Sequence, residues 1–286
     1  MLRERVADDI YVFSSEIYAQ VTAGAVVTSD GAILIDTLAF PGETQQVVRY
    51  VQERHGVPIR YVVNTHYHAD HTYGTCFVEG ARVVSHRLCW ELLDTIGRTG
   101  LKNAKRNAPE LDAIEIKLPD IVFDRGVMNL HLGGVTLRLW HAPGHSPDSV
   151  VCLVEEERIL FAADTMMPVP FFVDGGWEPY VHTLESLLHE PYECIVQGHG
   201  EVILRGEAEE RIKEDLHYLY TLRSQVGGIL ERNKGPEALA LIDIEACGKS
   251  RIALNGLVEQ LHRSNAEALY WSMLAEREGK APSRPV

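Results

Sequence analysis

The sequence predicts an α/β fold with a helical C-terminal extension, and three observations carry that expectation. Two runs of short apolar segments rich in β-branched residues occupy the first two hundred residues, each followed by stretches of helical spacing. An apolar content of 45% over 286 residues is enough for a sizeable core. Beyond residue 205 the chain turns to Ala, Leu, Glu and Arg at helical spacing. The expected division is a first domain over residues 1–205 and an extension over residues 206–286 packed on its core.

The elements follow in order. Ile10 to Phe13, Ile17 to Thr28 and Ala32 to Ile35 read as strands, the last two joined by the hairpin signal Ser29-Asp30-Gly31. Pro41-Gly42-Glu43-Thr44 opens a helix running to about His55, with Val47, Val48 and Val51 on one face. The run Ile59 to Asn64 is a buried strand, and Asp70 to Phe77 starts a helix. A strand at Arg82 to Ser85 and a helix near Leu88 to Ile96 come next, then a polar stretch to Asp120 broken by Pro109 and Pro119. The second run of strands is Val127 to Leu132, Val135 to Trp140, Ser149 to Val154 and Arg158 to Ala162. A helix near Leu184 to Leu188 leads to a strand at Glu193 to Val196. Helices are expected over Glu207 to Leu230, Glu237 to Glu245 and Ile252 to Glu278, with Ala281 to Val286 a frayed tail. Leu254, Leu257, Leu261 and Leu269 read as core packing, although the extension could also cap a pocket or form a homodimer.

Bulk chemistry excludes some functions. A net charge of −14 argues against nucleic acid, whose phosphates need Lys and Arg, and against anionic membranes. Five scattered cysteines, Cys76, Cys89, Cys152, Cys194 and Cys247, form no CxxC pair and suggest reduced thiols in a cytoplasmic protein. Met1 to Asp9 lacks the apolar stretch of a secretory signal, and no run of about 18 apolar residues is present to span a bilayer.

The chemistry is concentrated in Thr65-His66-Tyr67-His68-Ala69-Asp70-His71, where three imidazoles and a carboxylate follow directly on a buried strand. These are ligands of zinc and other borderline divalent ions. If the cluster binds metal, further ligands should stand just past the ends of other strands, and three do. Val135 to Trp140 runs into His141-Ala142-Pro143-Gly144-His145, Arg158 to Ala163 ends in Asp164, and Glu193 to Gln197 runs into Gly198-His199-Gly200. Together His66, His68, Asp70, His71, His145, Asp164 and His199 suit two divalent ions sharing one carboxylate.

The order HxHxDH, then His, Asp and His, over roughly residues 10–205, resembles the metallo-β-lactamase-fold hydrolase superfamily. The resemblance implies a four-layer αβ/βα sandwich with a dinuclear site along one edge of its two sheets. It implies that His66, His68 and His145 hold the first metal and Asp70, His71 and His199 the second, with Asp164 bridging. Asp36 matches an acidic position that often supports such a site, and a turn or helix-capping Asp is the alternative. β-Lactamases of the superfamily usually carry Cys or Ser where this chain has Asp164. Asp164 and His71 together look more like its glyoxalase II, lactonase and phosphodiesterase branches.

The expected reaction is attack by a metal-bridging hydroxide on the carbonyl of a small-molecule lactone, ester or thioester, with β-lactam cleavage left open. Asp70 is placed to orient the nucleophile. The metals are expected to be zinc, although ligation by N and O alone also admits iron and manganese. The alternatives are an iron oxidoreductase similar to sulfur dioxygenases, or a phosphodiesterase. Tyr67 and Tyr73 flank the cluster and either pack or donate a hydrogen bond. Phe171, Phe172 and Trp177, with Phe40 opposite, either wall a partly apolar pocket or pack the extension onto the core.

Overall fold

A strand covered on both faces reads as an unbroken apolar run, and Gly31–Ile35 is such a strand, buried throughout. Ile33 and Ile35 face one layer while Ala32 and Leu34 face another, as the two-residue period of a strand requires. The computed structural model describes residues 1–279 and builds two such sheets. The tail expected from Ala281 onwards lies outside the described residues.

The first sheet runs in chain order: β1 (Leu2–Ala7), β2 (Ile10–Ser14), β3 (Thr22–Thr28), β4 (Gly31–Ile35), β5 (Ile59–Val63), β6 (Arg82–His86) and β7 (Ile121–Phe123). It is antiparallel as far as β4 and parallel from there, with helix α1 (Pro41–His55) crossing between β4 and β5. One helical turn, α2 (Ala69–Thr72), follows β5. Helices α3 (Arg87–Leu92) and α4 (Arg98–Ala104) follow β6, joined by the wider turn Leu93–Gly97.

The second sheet contains β8 (Val127–Leu132), β9 (Val135–His141), β10 (Val150–Val154), β11 (Ile159–Ala163), β12 (Cys194–Gln197) and β13 (Ile203–Leu204), in spatial order 13-12-11-10-9-8. Only β11 and β12 pair in parallel, and α5 (Trp177–Leu187) crosses between them. Two long helices, α6 (Ala208–Glu231) and α7 (Leu257–Arg277), complete the described chain.

The cores are layered accordingly. Val12, Ile33, Ile35, Val63 and Val84 of the first sheet meet Leu137, Leu139, Val150, Cys152 and Phe161 of the second. Val47 and Val51 of α1 cover the outer face of the first sheet. Tyr180 and Leu184 of α5, Leu219 and Leu222 of α6 and Leu269 of α7 cover the outer face of the second. The result is the αβ/βα sandwich.

Several boundaries differ from the sequence expectation for physical reasons. The strand expected from Ile17 begins only at Thr22, because Ala19 and Gln20 hold φ of 43° and 51°, values no strand contains. Ser15 Oγ accepts the N–H groups of Ile17 and Tyr18 and folds this segment into a loop. Helix α5 begins at Trp177 rather than near Leu184, with Pro179 tolerated in its first turn. The helix expected over Asp70 to Phe77 is the turn α2 followed by a 3₁₀ turn. That expected over Glu237 to Glu245 is two short 3₁₀ turns. Helix α7 starts at Leu257 because Leu254 and Asn255 sit in the left-handed region. Of the four leucines, Leu254 and Leu269 are buried while Leu257 is exposed, so they form no single stripe. Strands β1, β7 and β13 were not anticipated: β1 is a charged edge strand, and the other two are only three and two residues long. All five cysteines are free. Among the described residues no helix is long and apolar enough to cross a membrane.

Candidate metal centre

The ends of β4, β5, β11 and β12 meet along one edge of the sandwich, stitched by backbone bonds between the sheets. Val150 N–H donates to Thr65 O and Thr22 N–H to Gly198 O, both at 2.8 Å. This seam brings together all seven residues expected at the site. One nitrogen or oxygen from each of His66, His68, His145 and Asp164 lies within 4.8 Å of the others, and the same holds for Asp70, His71 and His199.

Asp164 stands between the two sets. Its Oδ1 is 3.1 Å from His71 Nε2, and its Oδ2 is 3.3 Å from His145 Nε2, 3.4 Å from His199 Nε2 and 4.0 Å from His66 Nε2. Asp70 Oδ2 lies 3.3 Å from His199 Nε2 and 3.9 Å from His71 Nε2. His68 turns its Nδ1 inward, 2.9 Å from His145 Nε2.

Each imidazole is oriented from behind. Nδ1–H donates to Phe171 O at 2.8 Å from His145, to Ala19 O at 2.9 Å from His199, and to Asp36 Oδ2 at 2.8 Å from His71. His66 Nδ1 is 3.1 Å from Thr65 Oγ1, whose own proton goes to Asp36 Oδ2 at 2.7 Å, leaving that oxygen to accept. His68 Nε2 faces Asp174 Oδ2 at 3.4 Å. With one nitrogen so engaged, the other offers its lone pair inward, the arrangement that metal-binding histidines require. Asp36 therefore braces the site, accepting from Thr65 N as well, and does not cap a helix.

The donors fit divalent ions. Buried His66 Nε2, His71 Nε2 and Asp164 Oδ1 have no hydrogen-bond partner. Lone pairs and carboxylate oxygens facing one another at 3–4 Å repel unless cations lie between them. The electrostatics of the bare donors say the same. Burial disfavours charge on Asp164, yet His199, His71 and His145 hold its carboxyl well below the usual range. Burial likewise disfavours charge on His71 and His199, but Asp164 and the other carboxylates outweigh it and raise both, His199 to about 10. Burial dominates at His66, which is pushed well below the ordinary value, and lowers His145 to about 4. Burial opposes charge on His68 as well, but Asp174, Asp70 and Asp164 likewise raise it, so positive charge is favoured beside the carboxylates, the role a cation would take over.

The local backbone is strained to achieve this. Asp36 and Ala163, the residue before Asp164, hold φ of 58° and 44°. Gly198 is required by close approach, since a Cβ there would lie 1.8 Å from Asp164 Oδ1.

The aromatic residues divide. Phe171 lies beside His145, ring centres 6.0 Å apart, on the side of the first donor set. Tyr18 and Phe40 pair edge to face at 6.1 Å on the other side, where Asp70, then burial, raises the Tyr18 phenol. Phe172 and Trp177 do not wall the site. Phe172 is buried in the core shared with α6 and α7, and Trp177 donates to Leu219 O and stacks under Arg223. Tyr73 is packed with Leu101 and Ile114, and Tyr67 donates to Asp174 Oδ2 at 2.8 Å. Sequence reasoning missed Tyr18, which lay in the expected strand, and Asp174, which lies among the aromatic residues between Asp164 and Trp177.

Fold and donors together define an α/β sandwich with His and Asp gathered at one edge as candidate metal ligands. The Metallo-beta-lactamase superfamily profile matches residues 18–199, and the chain belongs to that superfamily. Among curated relatives it is 26% identical over 212 residues to the Lactamase-like protein aptB of Emericella nidulans, covering 73% of this chain and 60% of that one. It is 26% identical over 244 residues to an Atrochrysone carboxyl ACP thioesterase of Pseudocercospora fijiensis, covering 82% and 66%. It is 27% identical over 183 residues to the Thioesterase pkgB of Emericella nidulans, covering 63% and 45%. The aligned region thus spans between 45% and 66% of the length of these relatives. Two solved structures share the fold. The metallo-beta-lactamase from Pontibacter korlensis has a TM-score of 0.63 at 20% identity, covering 77% of this chain and 98% of that one. The sec-alkylsulfatase Pisa1 from Pseudomonas sp. has a TM-score of 0.74 at 14% identity, covering 98% and 54%.

Proposed function

We propose that the chain is a dinuclear metal-dependent acyl hydrolase acting on a small thioester, ester or lactone. The observation that carries this reading is the position of Asp164 between two donor sets. His66, His68 and His145 would hold one divalent ion and Asp70, His71 and His199 a second, with Asp164 shared. Zinc suits these N and O donors, as do iron and manganese. Bound ions supply Lewis acidity and a water whose pKa is lowered towards about 7.

The chain's own residues do the rest. The converging donors are His and Asp, with no cysteine among them, which supports water as the nucleophile. Asp70 has a side chain 17% exposed against 5% for Asp164, which puts its carboxylate on the open side, where it orients that water. Phe171, Tyr18 and Phe40 offer apolar surface to an acyl group. The thioesterase names of two relatives favour a thioester among the three bond types.

The test is metal analysis of protein purified without added metal, coupled to a panel of thioesters, lactones, phosphodiesters and a chromogenic cephalosporin. Two equivalents of a divalent ion with thioester or ester turnover support the proposal. Iron accompanied by oxygen consumption replaces it with an oxidoreductase.

A further inference from the structure

Helix α7 begins at Leu257, well beyond residue 199 where the superfamily match ends, yet one of its side chains reaches the support of the centre. Asn265 is fully buried. Its Nδ2 donates to Pro170 O at 2.6 Å and to the Tyr218 hydroxyl at 3.1 Å, while its Oδ1 accepts the Phe172 N–H at 3.2 Å. A reversed amide would set N–H against N–H and oxygen against carbonyl, so its orientation is decided by its partners.

The Phe172 N–H belongs to the same peptide plane as the Phe171 carbonyl, and no peptide bond among the described residues is cis. In a trans peptide the two groups point in opposite directions. Holding the N–H on α7 therefore aims the carbonyl the other way, at His145 Nδ1–H, 2.8 Å distant. Behind Asn265 the Tyr218 hydroxyl lies 3.1 Å from His262 Nδ1, and His262 Nε2–H donates to Ile242 O at 3.1 Å. With its hydroxyl accepting from Asn265, Tyr218 must donate to His262, so every bond in the relay has one sense. The same loop carries Asp174, which faces His68.

We propose that Asn265 is a positioning residue of the metal centre. By clamping the backbone of Pro170 and Phe172 it sets the ring of His145 and with it the first donor set, so α6 and α7 are a working part of the centre. The inference rests on the two-metal reading given above.

The test uses the full chain, stripped with a chelator and titrated with Zn²⁺ against a competing chromophoric chelator, and with Co²⁺ for its absorption bands. His145→Ala and His199→Ala mark which of the two affinities belongs to which donor set. Asn265→Ala is expected to weaken the His145-dependent site by about tenfold and alter its Co²⁺ bands, leaving the His199-dependent site within about twofold of wild type. Asp174→Ala, on a partly exposed loop, should weaken the same site through His68. If Asn265→Ala does not fold, Tyr218→Phe takes its place with a smaller loss at the same site. Unchanged affinities in the folded variants, or equal weakening of both sites, would overturn the inference alone. An unaltered chain that takes up no metal would overturn the two-metal reading and the inference with it.

Discussion

Gly198→Ala is the sharpest perturbation of the centre, because it changes no donor. A methyl group at residue 198 would lie 1.8 Å from Asp164 Oδ1, where side-chain Cβ atoms essentially never come closer than 3.0 Å. The carboxylate must therefore retreat by about 1.2 Å, the difference between those two distances. Rotation of Asp164 cannot supply the whole retreat, since the same methyl meets Ala163 C at 2.6 Å and Asp164 N at 2.7 Å. The ends of β11 and β12 must part, and Gly198 N–H bonds to Ala163 O and Met166 O there. Metal coordination tolerates about 0.2 Å, so a shift of this size would break a ligand shared between two ions as proposed. Overpacking of this kind costs about 1–3 kcal/mol, which a domain of this size withstands. The variant should fold, lose at least one metal equivalent and lose about 100-fold or more in kcat/KM. Metal analysis, a thermal melt and thioester kinetics on the same preparation provide the check. A folded variant with two metals and wild-type turnover would refute the claim that Asp164 is shared between the sets.

Other perturbations separate the remaining roles. Asp36→Ala strips partners from Thr65 N–H, Thr65 Oγ and His71 Nδ1, so a loss of about 3 kcal/mol in urea unfolding and weaker metal retention are expected. Wild-type stability with full metal content would count against the brace. Trp177→Ala removes packing and a hydrogen bond on α6, costing about 2–3 kcal/mol while leaving KM for thioesters unchanged. Phe171→Ala should do the reverse, raising KM for apolar acyl groups by roughly 5- to 10-fold with little change in melting temperature. If Trp177→Ala proves to be the one that shifts KM, the walls of the pocket are misassigned. Chelation should lower the melting temperature and readdition of metal restore it, because ions held by the assembled donors would favour the folded chain. An identical melt for the stripped and loaded protein would mean that the donors hold nothing tightly.

Much of this site was legible in the chain because its donors obey one local rule: a buried strand, a small or turn-forming residue, then a ligand. That rule depends only on neighbours in sequence, so His66, His145, Asp164 and His199 could be found separately and joined by count. What escaped depends on partners far away in sequence. Asp174 matters only because the fold sets it against His68, and Asn265 only because α7 crosses the loop at Pro170. Trp177 was ambiguous because an aromatic residue after a ligand suits a pocket wall and a helix contact equally, and only the packing of α6 decides. The strand expected from Ile17 failed for a local reason that composition hides. Ala19 takes a left-handed conformation there, and its carbonyl orients His199. Apolar runs gave the α/β pattern of strands and helices, because burial on both faces of β4 and β10 leaves an unmistakable run, whereas the layered sandwich was implied by the family resemblance.

The central claim is that seven converging side chains hold two divalent ions on which hydrolysis depends. Titration of the metal-free chain with Zn²⁺, following bound metal and thioester turnover in the same samples, tests it most directly. Turnover should rise with metal occupancy, reach its plateau at two ions per chain, and be absent at every concentration in His68→Ala. Full turnover in the metal-free chain, or an active His68→Ala variant, would contradict it.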